Sequence, residues 1–327
     1  MNLTLLSFIS LNQALNSPFL ILQNGNRLTM QSCCYFKHIQ SIIFNIIHND
    51  RSFLNVLNTK FDSIFNSAIY ISKEKQYNLK TRMLLDDSSK YILSNLKFIN
   101  CNGFRGGAIH SEATHLIIMN CIFMSNRGNY GAAVYAGNIL KGKITDSLFK
   151  ENFARNLCAG YFLDSDIDAI SNINIQSNNF TNQKAACVGA IECWGGIPRI
   201  SFCYIDHCIS TFGQPAVRTS TIGSEKTQRY SILDFVTFIN CTSRQYGSVF
   251  QSFVYKSSAY LKNCLMINNR CDSPSNGTTI FIQNTEVNII LQNCIIYGKK
   301  EKQFGGVKKM KEIVLKNVTF IDDEHND

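Results

Sequence analysis

Six side chains hold the chemistry most easily seen in this sequence: His110, Glu112, Tyr135, Tyr161, Glu192 and Trp194, the last being the only tryptophan. Aromatic rings with a polar handle stack on sugar rings and bond their hydroxyls, so a band of such residues suits a glycan or a protein surface. The two carboxylates raise a second chemistry, acid–base cleavage of a glycosidic bond, which needs two carboxyl groups at a fixed separation. Asp164, Asp166 and Asp168 alternate as if to meet a calcium ion, but the glycine and distal glutamate of a calcium hand are missing, and a solvated loop is the simpler reading. His38, His48, His115 and His207 stand alone, and Cys33-Cys34 and Cys187/Cys193 lack a second ligand pair at zinc-finger spacing. No glycine-rich phosphate loop or nucleophile elbow is present. No metal and no cofactor is therefore expected, and no residue is assigned a catalytic role.

Whether the six act together depends on what positions them, and the chain supplies a repeat. Its anchors are Tyr35, Phe61, Phe98, Phe123, Phe149, Phe180, Ile205, Phe238, Met266, Ile296 and Phe320. Five residues before each anchor stands an aliphatic residue or Met: Met30, Val56, Leu93, Ile118, Ile144, Ile175, Ile200, Leu233, Leu261, Leu291 and Leu315. Three residues before it, turn formers dominate, from Asn58, Asn95 and Asn120 to Asn317, with Phe202 and Phe235 as misfits. Asn tolerates left-handed backbone angles, so this is a turn position. Eight to twelve residues after the anchor a small-residue cluster recurs, as in Gly106-Gly107-Ala108-Ile109 and Gly131-Ala132-Ala133-Val134. Small residues allow close backbone approach, and period-two alternation marks a strand. Each repeat thus holds about three short strands, and variation in its length falls in loops.

Phe-x-x-Asn (Phe123 to Asn126, Phe149 to Asn152) alternating with Gly-Gly-Ala-Ile (Gly106 to Ile109) resembles the repeats of chlamydial polymorphic outer membrane proteins and of trichomonad surface families. The resemblance covers roughly residues 28–323. It implies the right-handed parallel β-helix of the pectate-lyase type and an adhesin-like, surface-exposed role, and it brings no catalytic motif with it.

The expected fold is all-β: a single-stranded right-handed parallel β-helix, or β-solenoid, of about eleven coils spanning residues 18–323. At about 4.8 Å per rung that makes a rod on the order of 50 Å long. Residues 1–17 read either as a signal peptide, whose apolar core would be Leu3 to Leu11, or as a cap on the first rung. Residues 324–327 are a polar tail. No run approaches the roughly 20 apolar residues of a membrane span.

In this frame the twelfth residue after the anchor gives His110, Tyr135, Tyr161, Glu192, Val217 and Phe250, and the next outward position adds Glu112 and Trp194. If the glycines and Ile/Val of the cluster point inward, these form an exposed ladder; a register shift of one residue would bury them instead. Glu112 and Glu192 fall three rungs apart, about 14 Å, beyond the roughly 6.5 to 9.5 Å of an inverting pair.

Thirteen cysteines follow the same frame. Cys33, Cys121, Cys203, Cys264 and Cys294 lie two before the anchor, and Cys101, Cys208 and Cys241 lie three after. They read as small buried residues stacked in a column, while Cys264 beside Cys294 and Cys208 beside Cys241 also come within disulfide reach. Glycosylation sequons occur at Asn2, Asn179, Asn240, Asn276 and Asn317. The formal charge of +9 is spread through loops apart from the run Lys299 to Lys311, and it reads as solvated surface with no nucleic-acid partner.

The leading expectation is a non-enzymatic surface or secreted adhesin-like protein that binds host or environmental glycan or a surface protein along an exposed strand face. A polysaccharide lyase or glycoside hydrolase is the rival, and a degenerate structural member without a ligand is the third reading.

Overall fold

The computed structural model describes residues 2–5, 10–11, 20–22, 27–30, 34–41, 43–48, 53–73, 90–113, 115–164, 172–220, 229–252, 257–273, 277–282, 289–306 and 313–322. Most of residues 1–17, the tail at 324–327, Cys33, Asp166, Asp168, Asn276 and Lys308 to Lys311 lie outside them. Within them, every strand pairing between successive coils is parallel. Two sheets have twelve strands each, a third has eleven, and a fourth has seven. The first runs from Asn2–Leu5 to Ile313–Lys316, the second from Ser10–Leu11 to Thr319–Ile321, the third from Leu20–Leu22 to Phe304–Gly306. The chain is thus a parallel β-helix, with one rung more in its longest sheets than the eleven expected.

Why these residues form these strands is visible in the columns. Met30, Val56, Leu93, Ile118, Ile144, Ile175, Ile200, Leu233, Leu261, Leu291 and Leu315 pair one to the next throughout the first sheet. All but Leu315 are buried at 0 or 1% exposure. In the second sheet the aromatic anchors stack face to face. Ring centroids lie 5.5 Å apart from Phe36 to Phe61, 4.9 Å to Phe98, 5.0 Å to Phe123, 4.7 Å to Phe149 and 4.5 Å to Phe180. The first anchor is therefore Phe36 and not Tyr35, which pairs with Lys60. One additional residue after Met30 is absorbed so that an aromatic ring keeps its place in the stack.

Two corners recur from coil to coil among the described residues, each made by a single left-handed residue. One precedes the anchor strand, at Asn58, Asn95, Asn120, Asp146, Ser177, Asn263, Asn293 and Asn317, with φ between 51° and 55°. Phe202 and Phe235 adopt the same angle, at 53° and 54°, although the conformation costs a residue with a Cβ roughly 1–2 kcal/mol. Their exposed rings stack on each other at 5.2 Å, which offsets part of that cost. The second corner follows the anchor strand, at Ser63, Asn100, Ser125, Glu151, Asn182, His207, Asn240 and Asn268.

The Asn of Phe-x-x-Asn turns inward. Asn126 and Asn152 are fully buried, and their amides form a ladder parallel to the coil axis. Asn126 Nδ2 donates to Asn152 Oδ1 (3.0 Å), and Asn152 Nδ2 donates to Gln183 Oε1 (3.2 Å). The backbone amide of Asn126 donates to the same Asn152 oxygen at 2.9 Å. Cys101, Cys208 and Cys241 occupy this column, and Cys121, Cys203, Cys264 and Cys294 share another with Ser147 and Asn178. Each of these seven thiols donates to backbone carbonyls, as Cys121 does to Met119 at 3.2 Å. Every cysteine among the described residues is a free thiol.

Candidate functional site

The third sheet positions most of the predicted residues. Its strands bring His110 opposite Tyr135, Tyr135 opposite Phe162, Phe162 opposite Glu192, Glu192 opposite Arg218 and Arg218 opposite Gln251. Tyr161 does not belong to this column. It pairs with Val134 and Ile191 and points into the core at 1% exposure. From Phe149 to Phe162 the chain takes 13 positions where Phe123 to Tyr135 takes 12. That single added residue moves Tyr161 to the inner face, and the same slip displaces Val217 and Phe250 in favour of Arg218 and Gln251.

The column faces away from the core, yet it is not exposed. His110 is 6% exposed, Tyr135 3%, and Glu192 0%. Leu157 and Cys187 from the turns leading into the sheet, Tyr130 from the end of a fourth-sheet strand and Trp194 from the sheet itself pack on a cluster of Tyr135, Cys158, Phe162 and Val188. The aromatic rings form a run along the axis: Tyr70–His110 at 4.5 Å, His110–Tyr135 at 4.9 Å, Tyr135–Phe162 at 5.5 Å and Phe162–Trp194 at 5.6 Å. The expected exposed ladder is thus a covered one.

Several polar groups in this layer pair with one another. The Tyr135 hydroxyl donates to Asp164 Oδ2 at 2.7 Å, and burial first, then this bond, raise its pKa. Trp194 Nε1 donates to Glu192 Oε1 at 2.7 Å, and Arg218 Nη1 donates to the same oxygen at 3.2 Å. Glu192 Oε2 is buried without a hydrogen-bond partner. Burial pushes the Glu192 carboxyl up to about 7 despite the opposing pull of Arg218 and the Trp194 bond. Glu112 shares its outward column with Gly137, Asp164 and Trp194, and lies 3.6 Å from His110 Nε2. Glu112 and Glu192 remain three rungs apart, so they do not form a couple across one bond. Among the described residues no three His, Cys, Asp or Glu side chains gather to hold a metal. Asp164 and Arg218 were missed as members of this layer: an offset of 13 after Phe149 gives Phe162, two residues before Asp164 on the same strand, and an offset of 13 after Ile205 gives Arg218.

A second arrangement lies on the fourth sheet, whose strands run from Asn102–Arg105 to Arg270–Cys271. Here Asn102 faces Arg127, Arg127 faces Phe153, Phe153 faces Lys184 and Lys184 faces Ile209, one rung per step. The intervening positions, Gly103, Gly128 and Ala154, are buried, so the named side chains stand outward. Phe104, two residues further along its strand, and Arg155, in the turn just past the Phe153–Ala154 strand, line the same depression with Asn100, Ser125, Glu151 and Asn182 from the second corner. The result is an open groove of about 850 Å³. Phe104 is 64% exposed and Phe153 38%, and Arg127, Arg155 and Lys184 are exposed and in no ion pair among the described residues. Glu151 is engaged at the rim by Lys150 at 3.5 Å.

Of the sequons, Asn179 and Asn317 are exposed and Asn240 is half-buried at its corner. No described helix is long and apolar enough to cross a membrane. Comparison of the chain with protein-family models, with curated proteins and with solved structures gives no match.

Proposed function

We propose that this chain is a non-enzymatic, adhesin-like protein of the cell surface or the secreted fraction, which binds a glycan along the outside of its β-helix. One observation carries the reading: the groove on the seven-stranded sheet, where exposed Phe104 and Phe153 stand among Arg127, Arg155, Lys184 and corner asparagines. Flat apolar rings flanked by hydrogen-bonding groups match the two faces of a pyranose. The likeness of the repeat to polymorphic outer membrane and trichomonad surface proteins supports the same reading, as do sequons at exposed Asn179 and Asn317. The layer around Glu192 supports an enzyme less well, since a carboxyl at 0% exposure is out of reach of a polymer and Glu112 lies about 14 Å along the axis.

A glycan array probed with the whole chain and with the Phe104→Ala and Phe153→Ala variants tests this. Loss of one aromatic platform is expected to weaken retention about tenfold. A screen without any retained glycan, or retention indifferent to both substitutions, would overturn it.

A further inference from the structure

Resting on that reading of the groove, we infer that its ligand is a linear acidic polysaccharide with one anionic group per disaccharide. The argument is one of charge and pitch. Arg127 and Lys184 stand in one outward column with Phe153 between them, each a rung from the next. Their backbones are therefore two rungs apart, about 10 Å along the axis. That is the advance of one disaccharide in an extended linear chain, so successive acidic groups meet Arg127 and Lys184 while the sugar between lies on the Phe153 ring. Arg155, in the turn just after the Phe153–Ala154 strand, also lines the groove and supplies a lateral donor to that middle sugar.

The three cations leave the groove with an uncompensated positive charge, because its one acidic lining residue, Glu151, is held by Lys150. A neutral glycan would leave these cations solvated and unused, whereas a carboxylate or sulfate ester gains charge-assisted hydrogen bonds from them. Exposed Asn102 and Asn182, at the two ends of the same stretch, offer amides to hydroxyls. A single-stranded nucleic acid is the competing polyanion. Its phosphates would seek cations at every nucleotide step, but on the second rung of this column the outward residue is Phe153.

The test uses the whole chain and four probes: a hyaluronan decasaccharide, a cellulose-type neutral oligosaccharide, a polygalacturonate oligosaccharide charged on every sugar, and a single-stranded oligonucleotide. Binding is measured by titration for wild type, Arg127→Gln, Lys184→Gln and Glu151→Gln. The expected result is tightest binding of hyaluronan, weakened about tenfold by each cation substitution and by raised salt. Glu151→Gln should strengthen it. All three positions are exposed, so an unchanged melting temperature checks that the fold is intact. Equal binding of the neutral oligosaccharide sinks the charge argument while leaving the glycan reading standing. Tightest binding of polygalacturonate sinks the one-charge-in-two pitch, and the oligonucleotide binding best sinks the polysaccharide. Failure of every saccharide to bind removes the glycan reading itself.

Discussion

Replacing Asn152 by Ala should be among the most damaging substitutions in this chain for its size. The side chain is fully buried, and its amide makes four contacts. Its oxygen accepts from the Asn126 backbone at 2.9 Å and from Asn126 Nδ2 at 3.0 Å, and its nitrogen donates to Phe123 O at 3.1 Å and Gln183 Oε1 at 3.2 Å. A net contribution of about 1 kcal/mol per bond gives about 4 kcal/mol. The interior admits no water-accessible substitute partner at 0% exposure, so the Asn126 amide and the Gln183 oxygen are left with a desolvation penalty. Shared partners make the bonds non-additive, and a loss of about 3–5 kcal/mol is the working figure. Urea unfolding followed by far-ultraviolet circular dichroism measures it, with Lys150→Ala as an exposed control expected to change stability by less than about 0.5 kcal/mol. Hydrogen exchange adds a local readout, because protection should fall at Asn126 and its neighbouring rungs before it falls at the ends. A loss below about 1 kcal/mol would show that the ladder is decoration on a fold held by the aromatic and aliphatic columns alone.

Two further expectations concern burial and backbone. Folded Glu192 keeps its proton up to about pH 7 whereas an unfolded glutamate releases it near pH 4.5, so the folded state binds the extra proton between those values. This group's contribution is complete below pH 4.5 and lost as pH rises through 7, by about 3 kcal/mol at most; melting temperatures from pH 4.5 to 8 should show that slope in wild type and lack it in Glu192→Gln, and equal slopes would refute the assignment. Gly106 has φ of +65°, and a Cβ there would lie 1.8 Å from the Ile109 carbonyl oxygen, so Gly106→Ala should cost several kcal/mol or prevent folding, on the order of 3 or more; at about 2 °C per kcal/mol for a chain this long, a melting temperature within about 2 °C of wild type would contradict it.

The periodic part of this fold was legible because the constraint is local and strict. The aliphatic column ahead of the anchors reads in register from Met30 to Leu315, even though Met30 stands six and not five residues before Phe36, since every coil must place an aliphatic side chain on the one before it. Phe202 and Phe235 looked like exceptions, but they share the left-handed angle of the asparagines around them. There the stacked neighbours dictate the backbone and the side chain only tolerates it. The site was legible in part, because a fixed offset from the anchor cannot register a one-residue insertion, and on a strand one residue is the difference between inside and outside. Tyr161 was placed on the wrong face for that reason, and Arg218 and Asp164 were passed over. Exposure was harder still, as the neighbours that pack around Tyr135 and Phe162 are set by packing between coils. The groove escaped notice because its members sit at offsets that no repeating residue type marks, Arg127 and Phe153 and Lys184 being successive occupants of one column.

The amide ladder through Asn126, Asn152 and Gln183 has a mechanical side. Its hydrogen bonds point along the axis, as do those of all four sheets, so a pull applied lengthwise loads every bond between two coils in tension at once. In a protein tethered at one end and gripped along its flank, strength is then set by the weakest junction between two coils and not by total length. Junctions stitched by a buried amide would hold, and those where a thiol takes its place would open first, so the rod would part at a defined seam.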